Sequence, residues 1–274
     1  MRTTIATSAA VAIAAAGIYH LGRIYNTIRP IPLHQILSYP HISDSLLQSA
    51  AVKLTNPHGH VPIHDTRFLT LRVPKHLTDE EILSRFVKGF FGGYVFKPER
   101  NVLRAVRKEI TRFESKRNIL LTLPQQLRSS VWHVKALEDT PVSSHIWSVA
   151  QLSAHELQPL HTLLFGAFRV VDSHLEQRAA QQTSQQTQSY IDFAFGSDNG
   201  YIAGVHRFSV SRVGPSTEKN EQDDNATNVT IEFAHAGCNP RENKPLKPDV
   251  IQTLHMFYSI LLFMEGVAEV HKAQ

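Results

Sequence analysis

The stretch that decides the fold is TNVTIEFAHA, residues 227–236, followed after a short polar loop by PDVIQTLHMFYSILLFMEGVAEVH, residues 248–271. In the first, Val229, Ile231, Phe233 and His235 share one face, while Thr230, Glu232 and Ala234 share the other. Side chains alternate along a strand, so this reads as a strand with one apolar face. In the second, Val250, Ile251, Leu254, Phe257, Tyr258, Leu261, Leu262 and Val267 recur at helical spacing and predict a helix with a broad apolar face. A one-faced sheet must bury that face, and a single long amphipathic helix can cover it.

Working outward, period-two stretches predict further strands near 130–137, 144–152, 161–172, 189–196 and 201–213. Asp198-Asn-Gly200 is a hairpin turn signal. Two polar insertions, Gln-rich from Glu176 to Ser189 and acidic from Gly214 to Asn228, read as loops. Upstream, Arg67, Leu69, Leu71 and Val73 alternate with Phe68, Thr70 and Arg72, which predicts a strand over 65–73. Thr78-Asp-Glu-Glu81 has capping-box spacing, Ile82, Leu83, Phe86, Val87 and Phe90 follow at helical spacing, and Gly92-Gly93 stops the helix. Pro98 suits the first turn of a second helix with an apolar stripe of Val102, Leu103, Val106, Ile110 and Phe113. Its basic face reads as solvated surface, or as a contact with anionic lipid headgroups.

The order is strand, two helices, six strands and a long closing helix. Two local stretches add to it, Phe90-Phe-Gly-Gly-Tyr-Val-Phe-Lys-Pro-Glu-Arg100 and Ile231-Glu-Phe-Ala-His235 through Asn239-Pro-Arg to the last helix. Together they resemble the START/polyketide-cyclase superfamily, in an uncharacterised fungal branch, over roughly residues 62–272. The fold class expected is α+β, a helix-grip antiparallel sheet wrapped on a long C-terminal helix, preceded by an N-terminal hydrophobic segment. The resemblance implies a cavity between sheet and last helix that takes lipids, sterols or polyketides. It implies no invariant catalytic motif, so it speaks to the fold more than to the reaction.

The charge is uneven. The formal net charge of +4 divides into +3 over residues 1–43, +5 over 97–117 and −4 over the remainder. Basic residues are not spread over a face with interleaved aromatics, so no nucleic-acid partner is expected. Residues 5–21 carry no charge. As a helix these 17 residues span roughly 26 Å, slightly short of a bilayer core. Three readings are compatible with this segment: a single membrane anchor, a mitochondrial presequence, and a cleaved secretory signal. The anchor reading leads. Arg23, Arg29 and the basic stretch on the C-terminal side then place the folded part in the cytosol, with a mitochondrial location as the alternative. The sequons at Asn225 and Asn228 are coincidental under that orientation. The chain divides into 1–24, the hydrophobic segment; 25–62, a proline-rich tether with a short helix near 43–54; and 63–274, the ligand-binding domain.

Alternation puts His235 on the apolar face with Phe233, and His206 on the apolar face of its strand with Phe208. These two histidines are the catalytic candidates, because neutral imidazole moves protons near pH 7. Core or rim histidines held by hydrogen bonds are the competing reading. Trp132, Phe193, Phe208, Phe233 and Tyr258 are the ligand-lining candidates, with His133 a weaker one beside Trp132. Arg207 and Glu232 lie on the opposite face as a cross-strand pair, and Asp192 reads as exposed. His58, His60 and His64 stand too flexibly to predict a metal site, and Cys238 is a solitary thiol, so no metal and no cofactor are expected. No G-x-G-x-x-G, P-loop, G-x-S-x-G or H-E-x-x-H motif is present.

The leading expectation is a membrane-tethered START-like protein acting on a hydrophobic small molecule. From the resemblance, that means a cyclase, isomerase or dehydratase of fungal secondary metabolism. The membrane partner is residues 5–21, with the 97–117 helix as a second contact. The alternatives are a non-enzymatic lipid or metabolite carrier, and an interaction scaffold whose interior is filled by side chains.

Overall fold

The computed structural model describes residues 2–114, 140–176, 188–198, 200–212, 225–245 and 249–274. The predicted strand at 130–137, with Trp132 and His133, lies outside these residues, as do most of the two polar insertions.

The architecture is α+β, and the described residues form one eight-stranded mixed sheet in the order β1-β2-β8-β7-β6-β5-β4-β3. Its strands are β1 (Leu37–Tyr39), β2 (Ile63–Pro74), β3 (Ser144–Ile146), β4 (Thr162–Leu164), β5 (Phe168–His174), β6 (Ser189–Gly196), β7 (Ala203–Arg212) and β8 (Ala226–Cys238). The pairings are antiparallel except β3 with β4, which is parallel, so the expected all-antiparallel sheet is corrected at that edge. The long stretch 161–172 is two strands rather than one. Phe165 and Gly166 both adopt positive φ between them, and the backbone reverses there.

Two helices follow β2. α4 (Asp79–Gly92) starts on a reciprocal capping box, with the Glu81 N–H donating to Thr78 Oγ1 and the Thr78 N–H donating to Glu81 Oε2. α5 (Lys97–Glu114) follows after a sharp corner. That corner is clamped from the closing helix α6 (Asp249–His271), whose buried Glu265 accepts from the N–H groups of Tyr94 and Val95, both at 2.8 Å. The Arg100 guanidinium donates to the Phe91 carbonyl at 2.5 Å and to Gly93, so the exposed ends of both backbone directions are satisfied.

α6 crosses the inner face of the sheet and packs on α4, with Leu262, Phe263, Met264, Val267 and Val270 buried. Thr253–His271 is the one helical window among the described residues long and apolar enough to cross a membrane, and half of it is buried in this packing. The expected single apolar face of this helix is corrected in its first turns. Leu254 and Phe257, at 64% and 63% exposure, point outward.

α5 is also oriented differently from the expectation. Val102 is 62% exposed, whereas Arg100 is buried, Arg104 Nε donates to the Trp147 carbonyl at 2.7 Å and Arg107 lies over the Trp147 ring. The polar anchors at the α4–α5 corner set the rotation of this helix, and the apolar stripe gives way to them.

The segment 25–62, expected to be a proline-rich tether with a short helix near 43–54, holds two short helices there and packs on the sheet. α1 (Arg2–Ile28) ends with Ile24 and Ile28 against the core. β1 pairs with β2, and α2 (Asp44–Leu47) and α3 (Ala50–Thr55) cover the outer face. Leu46, Ala51 and Val52 pack on Val205, Ala234 and Ala236. Ser43 and Ser49 cap these short helices, accepting from the Leu46 and Val52 N–H groups.

Candidate functional site

The site is built from facing positions on three strands. In the ladder, Asp65 of β2 pairs with His235 of β8, and His235 pairs with His206 of β7. Because neighbours in register share a face, the three side chains stand in one row across the inner side of the sheet. His235 Nδ1 lies 3.2 Å from His206 Nδ1, and the ring centroids are 5.0 Å apart. The two histidines singled out from the alternation are therefore in direct contact.

Aromatic rings enclose them. Phe195 lies nearly parallel to both, 4.5 Å from His206 and 5.5 Å from His235. Phe168, Phe233 and Phe90 complete the surroundings of His206. His255, from the first turns of α6, tilts over His235 at 5.2 Å. Arg67, two residues along β2 from Asp65, ion-pairs with it and donates through Nη2 to the Met256 carbonyl at 3.2 Å. Arg67 Nε and His255 Nε2 are buried without a hydrogen-bond partner.

Burial decides the charge state. His206 and His235 are 7% and 2% exposed. Desolvation drives His235 down to about 3, helped by His255, Arg67 and His64. It also drives His206 well below the ordinary imidazole range, with His235 and His255 adding to the effect. His255 is lowered too, chiefly by burial, with Asp65 pulling the other way. All three imidazoles are neutral at pH 7, and the one formal charge pair in the row is Arg67 with Asp65.

The lining candidates divide. Phe193, Phe208 and Phe233 are buried on the inner face. With Phe86, Phe90, Phe91 and Phe263 they form a continuous ring cluster, with centroid spacings such as 4.7 Å for Phe90–Phe208 and 5.0 Å for Phe86–Phe208. The space expected to be a cavity is occupied here by these rings. Tyr258 does not turn its hydroxyl to the histidines, but donates to Glu99 Oε2 at 3.0 Å and ties α6 to α5. Trp132 lies outside the described residues. A cleft of about 590 Å³, lined by residues of the 72–76 and 225–226 stretches and by Gln274, opens at the other end of β2. It lies nine residues along the strand from Asp65, roughly 30 Å at 3.3 Å per residue, and belongs to no part of the histidine row.

Two expectations on the outer face are corrected. Asp192 is fully buried and holds Arg207 by two bonds, to Nε at 2.7 Å and Nη2 at 2.6 Å. Glu232 accepts instead from Gln188 Nε2 at 2.9 Å. Cys238 is buried, its thiol pushed up to about 11 by burial, so it is no nucleophile at neutral pH. No metal-competent group of three ligands occurs among the described residues, the histidines at 58, 60 and 64 included.

Sequence reasoning missed Asp65, Arg67 and His255. A signal existed for each. Arg67 alternates with Leu69, Leu71 and Val73, so the apolar side of β2 carries it inward, with Asp65 two residues before it. His255 shares a helical face with Tyr258 and Leu262, at spacings of three and seven. No family model matches the chain, and neither a curated protein nor a solved structure matches it.

Proposed function

We propose that this chain is a membrane-tethered helix-grip domain of START-like type that binds a hydrophobic small molecule and moves a proton on it through His206 and His235. The observation that carries the reading is the 3.2 Å contact between two neutral imidazoles on the inner face, boxed by aromatic rings. Such a pair, dry and aligned, suits proton transfer on a substrate and is a costly way to fill a core. The helix-grip assignment is supported by the strand order. β2 lies beside β8, α4 and α5 stand between β2 and the next described strand, and α6 closes the inner face. Tethering is supported by the uncharged run 5–21 within α1 and by Arg23 and Arg29 after it. The basic α5 is a second contact with an anionic surface, and the folded part stands on the cytosolic side. From the resemblance, the substrate belongs to fungal secondary metabolism and the reaction is a cyclisation, isomerisation or dehydration.

A packed interaction scaffold is the second reading, and the ring-filled interior favours it. A passive carrier is disfavoured by the five ionisable groups gathered at the histidine row.

The test is mass spectrometry of small molecules retained by the full chain in detergent micelles, with wild type, His206→Ala and His235→Ala compared. A retained hydrophobic compound that wild type converts and neither variant converts is the expected result. Equal conversion by all three refutes the catalytic role, and a wild-type protein that retains nothing favours the scaffold.

A further inference from the structure

We infer that His206 and His235 work as one two-ring proton relay on a flat, enolisable carbonyl compound, taking a proton at one Nε2 and returning one at the other. The inference rests on the proposed function and specifies its substrate class and its step.

The contact joins the two Nδ1 atoms at 3.2 Å. A hydrogen bond there requires one Nδ1 to carry a proton and the other to be bare. A neutral imidazole has one N–H, so the first ring has a bare Nε2 and the second an Nε2–H. The pair thus presents one acceptor and one donor to a ligand, and its two tautomers interchange when the shared proton crosses. The ladder pairing of His206 with His235 holds the rings in place, and Phe195 stacks across both. Gly237 lets the His235 ring lie against the backbone of β8, since a Cβ there would stand 3.0 Å from His235 Nε2. The half-buried Phe195, stacked on both rings at the edge of the ring cluster, is the flat, apolar surface for a conjugated ligand.

The groups facing the pair explain why a relay fits better than a simple histidine base. From β2 come Asp65 and Arg67, with His64 on the opposite face adding only through its field, and from α6 comes His255. The one carboxylate among them is held by Arg67. An imidazolium formed in the row would have no free anion beside it, and burial opposes it further. A relay forms no imidazolium. The bare Nε2 takes the proton from the carbon next to the carbonyl, and the C–H electron pair becomes the C=C bond. The carbonyl π pair moves onto oxygen, which takes the proton from the other ring's Nε2–H. Between the rings the shared proton crosses from one Nδ1 to the other. Both rings end neutral in exchanged tautomers, and no proton is gained or lost. Reketonisation at a second carbon runs the relay backwards, which resets the pair and completes an isomerisation.

The experiment has two readouts on the full chain in detergent micelles. The first is ¹⁵N-histidine NMR. The expected pattern at pH 7 is one ring protonated only at Nδ1 and its partner only at Nε2, with no imidazolium for either down to about pH 5. The second is keto–enol interconversion of 1,3-diphenylpropane-1,3-dione, a flat hydrophobic diketone, followed by absorbance. Wild type is expected to accelerate it with a rate flat between about pH 5 and 8. His206→Gln and His235→Gln are each expected to lose at least about tenfold, with the double variant no slower than either, because the rings act as a unit. An imidazolium in the row near neutral pH, or a rate that falls with an apparent pKa near 6.5, overturns the relay and leaves simple histidine catalysis standing. Opposite tautomers with no acceleration by wild type overturn the proposed function and, with it, the relay as catalyst.

Discussion

Mild acid is expected to weaken this fold through His235, by an amount that follows from its burial. The ring is 2% exposed and its pKa is pushed down to about 3, from 6.5 in the unfolded chain. As pH falls through 6.5 the unfolded chain takes up this proton and the folded chain refuses it. Stability is therefore present in full above 6.5 and is lost progressively down to about 3. Between pH 7 and pH 5 the loss from this one ring is about 2 kcal/mol, at 1.36 kcal/mol per unit. For a domain of this size that corresponds to roughly 4–8 °C in Tm. The assay is urea unfolding of wild type and His235→Gln at the two pH values. Gln keeps a hydrogen-bonding group beside His206 but does not titrate. The carboxyls of Glu99, Asp192, Glu232 and Glu265 are pushed up by desolvation and act with the opposite sign, but they are common to both proteins and cancel in the difference. The expected result is that wild type loses about 2 kcal/mol more than the variant on going to pH 5. Equal losses refute the claim that the row is dry and neutral.

Two further outcomes concern the packing that positions the row. Asp192→Asn leaves the Arg207 guanidinium buried with the Tyr190 ring as its main neighbour, and is expected to cost about 3–5 kcal/mol in chemical denaturation. The double change Asp192→Leu with Arg207→Met is expected to be close to neutral, and a double variant as weak as the single would sink this account. Gly89→Ala would place a Cβ 2.4 Å from the Glu265 carbonyl oxygen where α4 crosses α6, and is expected to cost about 3 kcal/mol or more by differential scanning calorimetry. Gly22→Ala, with open space around it inside α1, is the matched control and is expected to stabilise by up to about 1 kcal/mol.

The histidine contact was legible because alternation fixes the face of each strand and β7 pairs with β8 directly, so two inward histidines at matching heights meet. The α4 capping box and the closing helix were legible for similarly local reasons, through hydrogen bonds three residues apart and a helical period. His255 and Arg67 were not, since their contact with the row depends on where α6 crosses the sheet. The rotation of α5 was not legible either. It is set by Arg100 reaching the Phe91 and Gly93 carbonyls and by Arg104 reaching Trp147, at separations of seven to 43 residues. An apolar stripe states which face can be buried. Here the polar anchors decide which face is.

The outer face shows why alternation misplaced Asp192. A strand with one wet side sorts apolar from polar, and a charge in mid-strand then reads as solvent-facing. In this fold the wet side is dry, because α2 and α3 from the supposed tether lie over β5 to β8. Charges beneath such a cover need partners of their own, and they have them: Asp192 with Arg207, and Glu232 with Gln188. A sheet covered on both faces is also stiff. Phe86, backed by Phe263, packs on Phe208 of β7 from one side, and Leu46 and Val52 pack from the other. That stiffness is what lets two rings on adjacent strands hold a 3.2 Å contact without a carboxylate to orient either of them. The proline-spotted segment before β2 therefore helps to hold the histidine row in place from the outer face of the sheet.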